Sequence, residues 1–253
     1  MITLDAENIP ELTSYLKDQK WIEPTEKVLA TEIPGEGNMN YTRRITTDRR
    51  QFILKQSRGY VEKYPQVKAP DERILMEAEF YRLVEHTPAL TAYTPEIWAV
   101  DKQNRVMLME DLGEGKDFTP IYQKEKHLDP QDLEVLLGFI TTLHSEVNRD
   151  STTPSIRNTK MRELNHAHIF EIPFQLDNGV DLDAIQPGLA RAAQPYQKDE
   201  KLGHAASDLG KRYLENGPVL LHGDYFPGSW LQTAQGIRII DPEFCFFGPG
   251  EVD

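Results

Sequence analysis

The spacing of apolar and polar positions changes several times along the chain, and each change marks an expected element. Over 10–21, PELTSYLKDQKW carries apolar residues at mixed helical spacing and predicts a leading helix. The next stretch, EKVLATEIPGEGNMNYTRRITTDRRQFILKQ, reads as three strands, with a Gly-rich turn at 35–37 and a polar turn near Thr47 and Asp48. DERILMEAEFYRLVEH, 71–86, joins strong helix formers to an acidic first turn that suits the helix dipole. Two more strands are expected in EIWAV and RVMLMEDL, separated by the turn DKQN, giving β-β-β-α-β-β up to Leu112.

Beyond Leu112 helical spacing takes over. Asp129 and Pro130 form a helix start, an N-cap followed by proline at the first helical position, and the amphipathic run continues to about Val147. Residues 199–216 are helical again, whereas 150–190 is polar, broken by Pro and Gly, and shows no clear period. PVLLHGDYFPGSWLQTAQGIRIIDPEF returns to strand, loop, short strand, a turn at Gln235 and Gly236, and strand. The expected fold class is α+β, with an antiparallel-sheet N-lobe over 1–112 and a mainly helical C-lobe over 113–253.

Composition narrows the partners. A chain of 253 residues can bury a sizeable core. The 41 acidic residues exceed the 28 basic ones for a net charge of −13, and no basic block interleaves with aromatics, so no nucleic-acid partner is expected. One cysteine, Cys245, excludes an intrachain disulfide and a Cys-rich zinc framework, which suits the cytoplasm. The opening MITLDAENIPELTSYL is acidic where a signal peptide needs basic residues, and no apolar run reaches membrane-spanning length, so no membrane partner is expected.

The candidate chemistry lies in four stretches. In GEGNMN, Gly35 and Gly37 let the backbone turn and approach a phosphate, although the same pattern fits an ordinary hairpin turn and joins strand to strand. In FILKQ, Lys55 is a cation between apolar neighbours, which points it either to solvent or to anionic partners. Such partners are nucleotide phosphates and a glutamate of the next helix, with Glu77 preferred and Glu79 in reserve because residues two apart diverge on a helix. The strand RVMLMEDL stops at Glu110 and Asp111, and a strand that runs into a linker presents unpaired backbone groups to a base. In HGDYFPGSW, Asp224 can accept a proton from a hydroxyl, while Ser229 can turn back onto a metal or hold the loop. Asp241 and Glu243 of IDPEF face one side if extended and can hold Mg²⁺, although an Asx-turn or N-cap is the common use of an isolated aspartate.

Taken in chain order, GEGNMN, LKQSRGYVEKYP, HGDYFPGS and IDPEFCFFGP resemble the aminoglycoside phosphotransferase-like superfamily of small-molecule kinases, and within it the methylthioribose kinases. The resemblance runs from about residue 30 onward and implies a two-lobed protein-kinase-like fold that uses ATP and Mg²⁺. It implies Asp224 as catalytic base with His222 supporting the loop, and Gly35, Gly37, Asn38, Asn40, Lys55 and Glu77 on the nucleotide side. The linker from Glu110 to Leu112 would hold adenine through its backbone, and Asp241, Glu243 and Ser229 would face the metal. The family continues past the metal motif with helices that complete the acceptor pocket, so the C-lobe is expected to be incomplete relative to it. Tyr225 and Phe226 replace its common Leu-His, which makes the acceptor entrance more aromatic.

The expected activity is transfer of the γ-phosphate of ATP to a hydroxyl of a small metabolite, a methylthioribose-like sugar first, with a homodimer among the expected assemblies. The alternatives are a non-catalytic nucleotide-binding module and a kinase for an aminoglycoside, choline or homoserine. A protein kinase is disfavoured, because HGD lacks the Arg of that loop and no activation segment follows. Four features are assigned plain structural roles. His166 and His168 lack a third ligand, His144 reads as a core or interlobe hydrogen-bonding histidine, Cys245 as a small buried hydrophobe, and RRITTDRR as a solvated hairpin face.

Overall fold

Period-two alternation in the third strand sorts the N-terminal sheet into two faces, and this decides where the site lies. A computed structural model describes residues 1–35, 37–148 and 156–253. The chain begins with α1 (Ile9–Asp18), β1 (Val28–Glu32), β2 (Tyr41–Thr47) and β3 (Gln51–Gln56). A short hairpin, β4 (Tyr60–Val61) and β5 (Tyr64–Lys68), precedes α2 (Arg73–Val84), α3 (Pro88–Thr91), β6 (Ile97–Asp101) and β7 (Val106–Met109). Five of these strands form one antiparallel sheet in the order β1-β2-β3-β7-β6. Its outer face buries Ile45, Phe52, Leu54, Val106 and Leu108 against Leu12 and Leu16 of α1. Its inner face turns Ile53, Met107 and Met109 toward α2.

The second half continues with β8 (Gly115–Asp117), α4 (Pro130–Glu146), α5 (Thr159–His166), α6 (Leu182–Ile185), α7 (Leu189–Gln197) and α8 (Glu200–Tyr213). It ends with β9 (Val219–Leu221), β10 (Trp230–Thr233), β11 (Gly236–Ile239) and β12 (Phe246–Gly248). β10 lies between β11 and β8, and β12 pairs with β9. The inner-face cluster does not stop at the end of β7, because it also contains Leu136, Phe139 and Leu143 of α4 together with Leu220, Ile237, Ile239 and Phe247. Among the described residues, no helix is long and apolar enough to cross a membrane.

The α+β class expected from the sequence is the one observed, and α4 begins as expected, with Asp129 Oδ1 accepting the Gln131 amide at 2.8 Å. Three differences have local causes. α1 ends at Asp18, short of Trp21, where Lys20 takes a left-handed φ of 59°. The β4–β5 hairpin was not expected, since β4 has two residues and β5 buries none of its side chains, so neither shows an apolar alternation. Within the stretch that showed no period, 149–155 lie outside the described residues, and the remainder holds α5, a π-helical turn at Ala167–Glu171, α6 and α7. No side chain of α6 or α7 is buried, and α6 has only four residues, too few to show a helical period.

The two faces make a direct prediction. Leu54 is fully buried on the outer face, so Leu54→Ala should cost about 2–5 kcal/mol in urea unfolding. Leu29 of β1 is 58% exposed, and Leu29→Ala should stay within about 0.5 kcal/mol. Equal losses would contradict the assignment of faces.

Candidate functional site

Lys55 shares the inner face of β3 with Ile53, its backbone paired with Thr42 on one side and Met107 on the other. The side chain is almost wholly buried, which for a lone ammonium would cost several kcal/mol. Nζ stands 2.7 Å from Glu77 Oε1 and 2.5 Å from Asp241 Oδ1. Burial works to strip the proton from Lys55, but Asp241, Glu77 and Glu243 together outweigh it and hold the ammonium above its ordinary range. Glu77 reaches this position because the buried stripe of α2 runs through Arg73, Glu77, Tyr81 and Val84. Glu79 points elsewhere and pairs with Arg82 at 3.4 Å.

The IDPEF segment does not stay extended. Ile240 donates its amide to the Ser229 carbonyl at 3.0 Å, and Asp241 then turns to a φ of 63°, a left-handed conformation that Asp tolerates better than most residues. The two acids therefore part rather than share one face. Asp241 goes to Lys55, while Glu243 Oε2 accepts from Asn40 Nδ2 at 2.9 Å and lies 3.2 Å from Arg73 Nε. Burial pushes the Glu243 carboxyl up, and Lys55 and Arg73 oppose that. Arg73 was not foreseen. It is fully buried and donates to the carbonyls of Arg58, Pro70 and Met39 at 2.7–2.8 Å, tying the Gly-rich segment to the start of α2.

The HGD loop is built around two constraints. Gly223 has φ 83°, and a Cβ there would stand 2.3 Å from the Phe244 carbonyl oxygen, so only glycine fits. His222 is buried and its pKa is lowered by that burial. As a neutral ring it can donate from Nε2 to the Ile240 carbonyl at 3.0 Å. The His222 and Gly223 amides donate to the carboxylate of Asp253, each at 2.7 Å. His144 Nε2 lies 3.1 Å from the same carboxylate, which accounts for His144 as a hydrogen-bonding residue. Sequence reasoning missed Asp253, whose only signal was an acid shortly after the PEFCFFGP run. Ser229 Oγ donates to the Asp224 carbonyl at 2.9 Å and so braces the loop.

Asp224 itself is different. Its carboxylate accepts no hydrogen bond among the described residues, and burial, with Glu243, Asp241 and Asp253 adding to it, pushes its pKa up to about 7. Among the described residues no three His, Cys, Asp or Glu side chains gather closely enough to hold a metal ion by themselves.

Above Lys55 and Asp241 opens a cleft of about 220 Å³, lined by Gly35, Gly37, Ile53, Met109, Leu231 and Ile240 and by the linker 110–113. A Cβ on Gly35 or Gly37 would meet nothing within 4 Å among the described residues, so the backbone there is open to the cleft. Asn38 and Asn40 do not line it: the Asn38 carbonyl accepts from Lys63, and Asn40 belongs to the Glu243 cluster. The Glu110 amide bonds the Glu96 carbonyl at 2.8 Å, whereas the Glu110 carbonyl and Leu112 amide have no partner among the described residues. One reading of the sequence is corrected here. RRITTDRR is not uniformly a solvated face, because Arg44 turns onto the linker and pairs with Asp111 at 2.6 Å.

Residues 30–253 match the family model described as "Phosphotransferase enzyme family". The chain is 26% identical over 238 residues to methylthioribose kinase of Exiguobacterium sibiricum, covering 88% of this chain and 58% of that protein. It is 24% identical over 262 residues to methylthioribose kinase of Bacillus cereus, covering 96% of this chain and 63% of that protein. The chain thus spans about three fifths of the length of these relatives. Among solved structures, spectinomycin phosphotransferase in complex with ADP and spectinomycin superposes with a TM-score of 0.57 at 15% identity, over 100% of this chain and 73% of that one. Choline kinase from Streptococcus pneumoniae gives 0.55 at 14% identity, over 95% and 71%. Both likenesses show the protein-kinase-like fold.

The state of Asp224 can be tested by stability. Its folded pKa is raised, so the protonated form favours the folded state, and that contribution is lost as pH rises from the ordinary 3.8 to about 7. Asp224→Asn removes the titration. The variant should gain stability over the parent progressively across that window and keep a constant advantage above it, read from urea midpoints. A difference that does not change with pH would contradict the raised pKa.

Proposed function

The chain belongs to the phosphotransferase enzyme family, and on that premise we propose that it carries an ATP- and Mg²⁺-dependent transfer of the γ-phosphate to a hydroxyl of a small metabolite, with a methylthioribose-like sugar as the first acceptor. The observation that carries this reading is the carboxylate of Asp224, without a hydrogen-bond partner among the described residues and raised to about 7, in the same charge cluster as the Lys55–Asp241 pair. A carboxylate with that pKa is poised to take a proton from an acceptor hydroxyl near neutral pH. Lys55, oriented by Glu77, would contact phosphates, and the open space at Gly35 and Gly37 would admit them. The apolar walls from Ile53, Met109, Leu231 and Ile240 suit a base, and the free Glu110 carbonyl and Leu112 amide suit the edge of adenine. Asn38 and Asn40 would act indirectly, by fixing the segment that carries the glycines.

The carboxylate set fits Mg²⁺, a hard cation that takes one or two protein carboxylates and completes its shell with water and phosphate oxygens. Asp241, which faces the cleft, would hold it, whereas Glu243, engaged by Asn40 and Arg73, and Ser229, bonded to the Asp224 carbonyl, would act indirectly. Bound Mg²⁺ would supply charge neutralisation at the phosphate oxygens. Nucleotide would lie on the 1–112 side and acceptor on the 113–253 side, and the single cysteine and acidic balance support a cytoplasmic setting.

An ADP-release screen of the full-length protein across methylthioribose, aminoglycosides, choline, homoserine and fructosamines tests the proposal. Thermal stabilisation by ATP without ADP formation on any acceptor would instead favour a nucleotide-binding module. Asp224→Asn should lower kcat by roughly 10²- to 10⁴-fold. In the parent, kcat/KM should rise with pH through about 7, because the base must lose its proton first. An unchanged rate in the variant removes Asp224 from this role.

A further inference from the structure

Arg44 of β2 makes a set of contacts that its basic neighbourhood hides. Its guanidinium grips Asp111 with two bonds, Nε to Oδ2 at 2.6 Å and Nη2 to Oδ1 at 3.0 Å. Nη2 also donates to the Gly113 carbonyl at 2.8 Å, and Nη1 to Glu32 Oε1 at 3.0 Å. The pair is not a surface decoration, since the Arg44 and Asp111 side chains are only 11% and 7% exposed. Asp111 stands between the Glu110 carbonyl and the Leu112 amide, neither of which has a partner among the described residues. On the far side the Gly113 amide donates to Asp111 Oδ1 at 3.0 Å, and Gly113 has a φ of 76°. Glu32 ends β1 and leads into the Gly-rich segment. One guanidinium therefore fastens the linker on both sides of Leu112 and ties it to the entrance of the glycine segment.

We propose that Arg44 is a positioning residue for nucleotide recognition: by clamping Asp111 and Gly113 it holds the Glu110 carbonyl and the Leu112 amide toward the cleft and so sets a preference for adenine over guanine. Adenine offers a donor and an acceptor to that fixed carbonyl and amide, and guanine offers them in the reverse order. A linker that cannot rotate its peptides leaves its own buried groups unmatched against guanine, whereas a loosened one can adapt. Arg44 is suited to this by its planar fork, which lysine lacks.

The inference rests on the nucleotide-binding part of the proposed function. Titration calorimetry of ADP and GDP, each with Mg²⁺, on the parent, Arg44→Lys, Arg44→Ala and Asp111→Asn tests it. The expected result is about a tenfold weaker ADP affinity in all three variants with a smaller change for GDP. Combining Arg44→Ala with Asp111→Asn should add little, because both remove one clamp. Arg44→Lys keeps the charge and serves if Arg44→Ala fails to fold. ADP affinity and the ADP-to-GDP ratio within about twofold of the parent in Arg44→Lys and Asp111→Asn would overturn the proposal, whatever happens to the melting temperature. A parent that binds neither nucleotide overturns it together with the nucleotide reading. A parent that binds ADP and shows the variant shifts, but transfers no phosphate, leaves Arg44 in its role and removes only the transfer reading.

Discussion

A buried ammonium needs compensation, and in this protein the ammonium of Lys55 brings together parts of the chain that are otherwise far apart. Lys55 sits in the middle of the N-terminal sheet, Glu77 on the helix behind it, and Asp241 beyond the last strand of the β8-β10-β11 sheet. Both carboxylates are held by the one ammonium, and removing it would leave two acids facing each other without compensation. The inner-face cluster that continues from β7 into α4 lies beside the buried Lys55 and Glu77, while Asp241 stays 44% exposed toward the cleft. Position and packing thus support one another: the apolar core fixes where the charges stand, and the charges fix which faces of β3 and α2 turn inward.

A second layer of polar contacts holds the loops around the trio. Arg73 gathers carbonyls from three segments and stands against Glu243, and Asp253 secures the amides of His222 and Gly223. Most buried donors and acceptors in the loop are satisfied in this way, as buried polar groups generally must be. The Asp224 carboxylate accepts no hydrogen bond among the described residues, and burial raises its pKa to about 7.

Much of this was legible in the sequence. The alternation of QFILKQ fixed which residues share the face of Lys55, and the divergence of positions two apart on a helix favoured Glu77 over Glu79. Asp129 and Pro130 announced α4 through a cap whose chemistry is local. What escaped was of two kinds. Arg73 and Asp253 act through contacts between distant segments, and a lone arginine or aspartate carries no period that points to its partner. Arg44 was misread because Arg49 and Arg50 of the same stretch are exposed, and a basic hairpin looks the same whether or not one side chain folds back. The turn at Asp241 escaped too, since a left-handed aspartate leaves no mark in the sequence beyond being an aspartate.

The separation of 186 residues between Lys55 and Asp241 has a consequence for how the molecule comes into being. During synthesis the sheet and α2 emerge long before β11, so Lys55 and Glu77 can meet as a pair well before their third member exists. A contact this distant in sequence must close a long loop, which costs chain entropy. Until then the inner face of the sheet lacks the strands and α4 side chains that complete its core, and it stands as exposed apolar surface. The charge trio can therefore be completed during synthesis only once β11 has emerged, when most of the chain is already present.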